Sequence, residues 1–493
     1  MDNTGTNLEN QQPVKNPPKM GRQPSFLQAG LLIVVISATI LYGVVGLHVA
    51  PHVPIFISLT LALAMGLYLK YPWEALEDGV LKGITGGLIP ILLMLLIGII
   101  IGTWIACGTI PYLIYLGIKI ISPQWFFVSA LLTCSVISLS TGSSWTSAGT
   151  LGVAFMGIGH AIGMPPAMTA GAVVCGAVLG DKISPFSETV LFVAGVTEVP
   201  VYDHVRSMLW TTLPAFFIGG VIFAVLGFTH APENADLERI NVISDTLASS
   251  FNFNPLLLLL PVILIISVVK QVPSLLGVGI GAVMGMVFAV IFQGASLPDV
   301  MQYAHYGFKS ATGVDFVDSM LSKGGLNSMM YTISLVILAL SMGGVLERTG
   351  MLKTVLETLS RLVNNVVGLV STTLASVLAL EFIMADTYLP MLLGGRTFKP
   401  AFDKLKLNTR VLSRSLADTG TTGAWMVPWS ECGVFATATL GIAVLDYLPY
   451  YFLGWVTPIV AVTLAATGIG IFYTDGRKKA KERDLEAATE EAG

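Results

Sequence analysis

Apolar runs of about 20 residues, returning again and again along the chain, limit what this sequence can fold into more than any other feature. The first spans Phe26 to Leu47. Inside a bilayer no water is available to the backbone, so such runs must close their own hydrogen bonds as helices. No small-residue cleavage site follows a short apolar core, so the first run reads as a spanning helix and not as a signal peptide. Composition agrees: 54% of the 493 residues are hydrophobic and 11% charged, against roughly 25% charged in soluble domains, and mean hydropathy is +0.77. An all-α polytopic membrane protein is expected, with membrane lipid as its surroundings.

Two stretches break that pattern. Gly180-Asp181-Lys182-Ile183-Ser184-Pro185-Phe186-Ser187-Glu188 and Thr421-Thr422-Gly423-Ala424-Trp425-Met426-Val427-Pro428-Trp429-Ser430-Glu431 are polar, charged and proline-broken within apolar segments. Lipid tolerates freed backbone only where it lines a protein-walled or watery cavity. Pro185-Phe186-Ser187-Glu188 and Pro428-Trp429-Ser430-Glu431 read as one motif used twice. Paired interruptions in corresponding positions of two halves point to the binding site of a secondary transporter.

The rest of the chain follows this duplication. Residues 1–25 are polar and dotted with Pro13, Pro17, Pro18 and Pro24, as expected of a disordered tail. A first repeat is expected over 26–229, an external linker over 230–254, a second repeat over 255–474 and a basic tail over 475–493. The polar-tipped apolar stretches 124–155 and 363–395 read as re-entrant hairpins, and 167–198 and 411–444 as the broken segments. Gly102 and Gly344 lie 242 residues apart, as do Gly108 and Gly350; Pro185 and Pro428 lie 243 apart, and Lys82 and Lys323 241 apart. With the hairpins entering and leaving on one side, each half crosses an odd number of times, which inverts the second half. Lys270, Arg348, the basic stretch 396–414 and both tails then fall on the cytoplasmic side, as the positive-inside rule requires, and acidic 230–254 falls outside. The expected architecture is about ten transmembrane helices plus two re-entrant hairpins in two inverted repeats with broken helices, in the inner or plasma membrane with both termini cytoplasmic.

A carboxylate within the membrane costs about 2.5 to 3.5 kcal/mol, so it is a functional candidate by default. A sodium site needs several oxygen ligands, which unwound backbone, hydroxyls and carboxylates supply together. Asp181, Ser184, Ser187, Glu188, Thr189, Asp386, Asp418, Ser430 and Glu431 are the candidates for binding Na⁺ or H⁺. Thr141, Ser143, Ser144, Trp145, Lys182, Glu381, Thr387, Thr421, Thr422 and Trp429 are candidates for meeting a substrate. Blander readings stand beside these: Asp181 with Lys182 as a local ion pair, Glu381 and Asp386 as caps of the hairpin tip, Asp418 with Arg414 as an i, i+4 pair. Ser140 to Ser147 reads also as an N-cap cluster, and Trp425 and Trp429 as packing. Cys107, Cys134, Cys175 and Cys432 lie far apart with no metal-ligand spacing and read as small packing residues. No nucleophile-base pair is visible, which argues against an enzyme. Nothing suggests nucleic acid or a cofactor.

Thr141-Gly142-Ser143-Ser144-Trp145, the run from Gly180 to Glu188, Ala385-Asp386-Thr387-Tyr388-Leu389 with Gly395-Arg396, and Leu412-Ser413-Arg414 through Asp418, Gly420, Pro428-Trp429 and Cys432-Gly433 together resemble the NhaC family of sodium/proton antiporters, within the wider ion-transporter superfamily. The resemblance covers nearly the whole transmembrane part. It implies sodium-coupled antiport with protons, Na⁺ and H⁺ being cargo, or as the alternative a sodium-coupled exchanger or symporter of a small carboxylate or amino acid of the malate/lactate type. A homodimer is compatible with it. Where the family pattern runs Ser-Asp-Thr-Thr-Asn this chain has Ser187-Glu188-Thr189-Val190-Leu191, where it shows Asn ahead of Asp-Gln-Tyr this chain has Glu381 and Asp386-Thr387-Tyr388, and for Pro-Trp-Asn-Thr it has Pro428-Trp429-Ser430-Glu431. Amides have given way to carboxylates or apolar residues at these positions.

Overall fold

The computed structural model describes residues 21–231, 237–270 and 272–474; most of the two expected tails therefore lies outside the described residues. In chain order the first half runs α1 Phe26–Leu41, α2 His52–Tyr68, α3 Trp73–Gly86, α4 Leu88–Ala106, α5 Thr109–Ile120, α6 Phe126–Thr141, α7 Ser144–Ser147, α8 Val153–Ala161, α9 Pro166–Ile183, α10 Glu188–Thr197 and α11 Val201–His230. The second runs α12 Leu237–Ser250, α13 Leu259–Val269, α14 Ser274–Gln293, α15 Leu297–Tyr306, α16 Asp315–Leu321, α17 Met330–Arg348, α18 Met351–Leu362, α19 Val366–Met384, α20 Tyr388–Lys404, α21 Thr409–Gly420, α22 Glu431–Leu440, α23 Val444–Tyr447 and α24 Phe452–Thr467. Among the described residues eight helices are long and apolar enough to cross a membrane, or up to ten if each of two bent pairs is one span.

One of those bent pairs joins Ile240–Ser250 to Pro255–Leu264 at 100°. The stretch expected as a plain linker over 230–254 thus holds α12. Ile240, Ile243 and Leu247 fall on one face of it, and Ile243 and Leu247 are buried. Residues 232–236 of the same stretch lie outside the described set.

The halves carry the same elements in the same order. From Leu88 to Met330, where α4 and α17 begin, is 242 residues, and from Thr109 to Met351, where α5 and α18 begin, is again 242. For α9 and α21 (Pro166, Thr409) and for α10 and α22 (Glu188, Glu431) the step is 243. Equivalent helices set out from opposite ends of the molecule. Arg348, where α17 finishes, pairs at 3.4 Å with Asp78 of α3, the helix that leads into α4. The same end gathers the Glu198–Lys399 pair at 3.2 Å, the Arg22 N–Leu69 O bond at 2.8 Å and the Asn408 N–Phe472 O bond at 2.9 Å. Gln293, bonded to Cys107 O at 2.9 Å and to Asn252, marks the other end.

The opening helices of each half pack on the opposite half: α2 and α3 lie against α17, while α14 and α15 lie against α4. Small residues permit this approach. A Cβ at Gly83 would collide with the Leu340 carbonyl, and one at Gly344 with that of Gly79. The broken helices and the hairpins pack mainly among themselves, α6 along α9, α19 and α20 against α21, and α11 against α24. Their short second pieces also exchange, α10 reaching α20 and α21, and α22 reaching residues 148–152.

Overpacking a tight contact costs about 1 to 3 kcal/mol. Gly83→Val and Gly344→Val are each expected to lower the melting temperature in detergent, whereas Gly279→Val, with nothing within 4 Å of its Cβ, is expected to leave it unchanged.

Candidate functional site

Proline sets both breaks. It lacks an N–H and disfavours the helical region for the residue before it, and Ser184 and Val427 are accordingly extended at ψ 127° and 118°. Helix resumes at Glu188 in one half and Glu431 in the other. Hydroxyls take up the backbone groups freed between. Ser184 Oγ donates to Leu139 O at 2.8 Å, Thr422 Oγ1 to Asp418 O at 2.7 Å and Ser430 Oγ to Val427 O at 2.9 Å, while Ser430 Oγ also accepts Gly433 N–H at 3.0 Å to cap α22. Ser184, Ser430 and Thr422 are therefore engaged by backbone.

The hairpin tips meet the breaks. Gly142 and Ala385, 243 residues apart, both end the first arm in left-handed backbone, at φ 65° and 56°. For a residue with a Cβ this conformation is strained. Ala385 O accepts the Glu431 N–H at 3.2 Å, and a Cβ at Gly142 would collide with Phe186 and Ser187. One residue further, Ser143 caps α7 by accepting Thr146 N–H at 3.2 Å, and Asp386, its equivalent, accepts Leu389 N–H at 2.6 Å. Asp386 thus does the capping work that the blander reading gave it.

Between tips and breaks lies a cavity of about 780 Å³. From the first break Asp181, Glu188 and Thr189 line it, and from the second Thr421, Glu431 and Cys432. Thr141, Ser143 and Trp145 come from one tip, Thr387 and Tyr388 from the other. Glu188 and Glu431, drawn from opposite halves, thus share one chamber, Glu188 exposed and Glu431 buried. Ile89, Pro90, Tyr202, Pro273 and Leu275 are among the residues of its remaining wall.

Asp181 is wrapped in hydroxyls. Oδ1 accepts Ser187 Oγ–H at 3.0 Å, Oδ2 accepts the Ser144 hydroxyl, and the Asp181 carbonyl accepts Thr189 Oγ1–H at 2.8 Å. Glu431 Oε1 accepts Thr387 N–H at 3.3 Å, while its Oε2 has no hydrogen-bond partner among the described residues. The described lining carries three carboxylates and no Lys or Arg.

Lys182 does not reach the chamber. It forms a wholly buried ion pair with Asp418 at 3.1 Å and donates to Ala417 O at 3.4 Å, and Thr211 Oγ1 donates to Asp418 at 2.7 Å. This links α9 to α21 across the two halves. Neither local pairing read from the sequence occurs: Lys182 passes over adjacent Asp181, and Arg414 donates to Gly470 O at 3.0 Å. Trp429 is packed at the second break, its Nε1–H donating to Phe382 O at 2.7 Å. Glu381 is fully buried behind the chamber wall.

Tyr388 and Trp425 are the aromatic lining residues beside the tips and breaks that the site set read from sequence lacks. Trp425 reads from sequence as packing. Tyr388 carries a signal that sequence holds, for it stands 243 residues after Trp145.

Comparison with known proteins adds a second line. A family model described as Na+/H+ antiporter family matches residues 23–195 and 176–469. The chain is 39% identical over 442 residues to the Na(+)/H(+) antiporter NhaC of Alkalihalophilus pseudofirmus, covering 90% of this chain and 95% of that protein. It is 34% identical over 435 residues to the Na(+)/H(+) antiporter NhaC of Bacillus subtilis, at 88% and 95% coverage. The Malate-2H(+)/Na(+)-lactate antiporter of Bacillus subtilis is 33% identical over 453 residues, at 92% and 97% coverage.

Removing one member of a buried ion pair strands the other charge, at a cost of about 3 to 5 kcal/mol. Lys182→Met is expected to lower the melting temperature in detergent sharply, and Lys182→Met with Asp418→Asn to recover most of the loss. A double variant no more stable than the single one would show that these two charges do not compensate each other.

Proposed function

The chain belongs to the Na+/H+ antiporter family, and from that premise we propose that it exchanges sodium for protons across the cell membrane by alternating access, with Glu188 and Glu431 holding either ion in turn. The observation that carries this is the meeting of the two carboxylates, one from each broken helix, in a single chamber. A carboxylate takes a proton or a sodium ion at the same oxygens, so one set of groups serves two competing cations. Around them Thr189, Ser143 and Thr387 bring further oxygens, and Asp181 stands held by three hydroxyl groups of its neighbours. Asp181 shapes the site, whereas Asp418 holds the halves together through Lys182. Sodium and protons are the cargo, and the chemistry needs no enzyme-like bond making.

The end of the molecule rich in Lys and Arg, including Arg22, Lys82, Arg348, Lys353, Lys399 and Lys404, faces the cytoplasm by the positive-inside rule, with both tails on that side. Ile89, Tyr202 and Pro273 line the chamber and stand at helix starts at this end, and we read the conformation as open inward. Toward the other face Trp145 stacks on Phe435 at 4.6 Å, and Trp425 meets the same ring edge-on at 6.1 Å. Those rings close the outer path.

A second reading has one observation in its favour. A sodium ion alone does not need 780 Å³, a volume within the roughly 300 to 1,000 Å³ of small-molecule sites, and a relative is named for malate and lactate. Sodium-coupled movement of a small organic acid or amino acid would use the same chamber. The walls favour a solute with a positive group over a dianion, because Lys182 is engaged by Asp418.

In proteoliposomes, Glu188→Gln and Glu431→Gln are each expected to slow sodium-driven proton movement by about tenfold or more, the loss of about 1.4 kcal/mol of ion binding; full activity in the double variant would overturn the assignment. Uptake of labelled malate or amino acid driven by a sodium gradient, without net proton movement, would establish the second reading. In a background carrying Cys432→Ser, Tyr202→Cys is expected to react with an impermeant maleimide from the cytoplasmic side alone. Reaction from the outer side would reverse the orientation.

A further inference from the structure

One of the buried positions at which the two halves differ lies behind the chamber. Ser138 and Gly180 of the first half correspond, 243 residues on, to Glu381 and Gly423 of the second. The packing is the same in both: a Cβ at Gly180 would collide with Ser138, and a Cβ at Gly423 with Glu381 Oε2. In the first half the slot holds a hydroxyl that is satisfied, Ser138 Oγ donating to Ala177 O. In the second it holds a carboxyl group, fully buried, with neither oxygen hydrogen-bonded among the described residues.

Burying a carboxylate with no partner is prohibitive, so the group stays neutral or is met by a cation. Among the described residues no basic side chain bears on it. The titratable groups that bear on Glu381 are Asp386 at the α19–α20 tip and Glu431 at the head of α22, both acidic. Ahead of α24, Tyr451 feels Glu381 in turn, and its own buried hydroxyl has no partner among the described residues. The other elements packed on α19, namely α1, α17, α18, α20, α21 and the turn Gly423–Met426, add no titratable group to that set. A proton is thus what keeps this slot neutral, and a cation arriving at Glu431 is what would let it go.

We propose that Glu381 is a second proton-carrying position of the transport cycle, set behind the chamber wall and discharged when sodium binds at Glu431. This rests on the antiport reading above. In the step, the O–H bond of the Glu381 carboxyl breaks, and its proton passes by way of Glu431 to chamber water. The sodium ion that has entered offsets one of the two negative charges then carried by Glu381 and Glu431, so the pair gives up one net positive charge in the step. The second half would thus carry a proton store that the first half, with Ser138 in its place, lacks.

The test uses the purified full chain in proteoliposomes and two neutral-or-acidic replacements, Glu381→Gln and Glu381→Asp. Infrared difference spectra on adding sodium chloride are expected to show loss of a protonated carboxyl band in the parent protein. That loss should shrink in Glu381→Gln and shift in Glu381→Asp. Tracer sodium–sodium exchange, which needs no proton, should survive in Glu381→Gln while protons released per sodium bound fall. Glu381→Asp should restore them. An unchanged band loss and proton ratio in Glu381→Gln would overturn the proposal, as would loss of sodium exchange and proton release together with an unaltered spectrum. Should Glu381→Gln fail to fold, the band in Glu381→Asp decides, and a band identical to the parent's overturns it. Failure of the antiport reading itself looks different: Glu188→Gln with Glu431→Gln would then transport normally, whatever the Glu381 band does.

Discussion

Every feature of this molecule answers to one constraint, that a peptide group in lipid must find its hydrogen-bond partner inside the protein. Helices satisfy it throughout their length, and so nearly every described crossing is an unbroken helix. Two segments depart from this, and each departure is repaired locally. Ser184 reaches Leu139 O, Thr422 reaches Asp418 O and Ser430 reaches Val427 O and Gly433 N–H. The hairpin tips complete the repair, with Ala385 O taking the Glu431 N–H. Once backbone is accounted for in this way, the carboxylates at the resumed helices are left to turn toward the chamber. Repair of the main chain is thus what leaves those side chains free to line the chamber.

Much of this was legible in the sequence. Proline at 185 and 428 shows where the helices must stop, because the rule is local. The common offset shows that the two stops are copies, and Glu188 and Glu431 come with them. Less was legible wherever the partner lay in the other half. Lys182 stands beside Asp181 in sequence but pairs with Asp418, 236 positions on, since the exchange of packing between halves brings α9 and α21 together. Asp386 looked like a ligand because its chemistry is that of one; its neighbour in space, the Leu389 N–H, turns it into a cap. The helix over Leu237–Ser250 went unread because its charges suggested a loop, while Ile243 and Leu247 bury one side of it. Tyr388 was hidden only by chemistry, its place being that of Trp145 in the other copy.

Duplication has not kept the copies alike. Asp181 in the first half has Ala424 as its counterpart, and Glu381 in the second has Ser138. Lys182 corresponds to Trp425, and Asp418 to Cys175, so the interhalf ion pair exists once and not twice. Acidic side chains are therefore distributed unevenly about an evenly repeated backbone. The first half sets Asp181 among hydroxyls that orient it, and the second sets Glu381 and Glu431 where few donors reach.

The exchange of opening helices has a mechanical outcome. With α2 and α3 lying on α17, and α14 and α15 on α4, the two halves are clasped like folded hands and offer no seam along which one half can swing from the other. The chamber sits on a different boundary. Ile89, Pro90 and Leu275 belong to the clasped helices, whereas Asp181, Glu188 and Glu431 belong to the bundle of broken helices and hairpins. Relative movement is therefore confined to that boundary, where a shift of the bundle against the clasped helices would reshape the chamber without parting the halves.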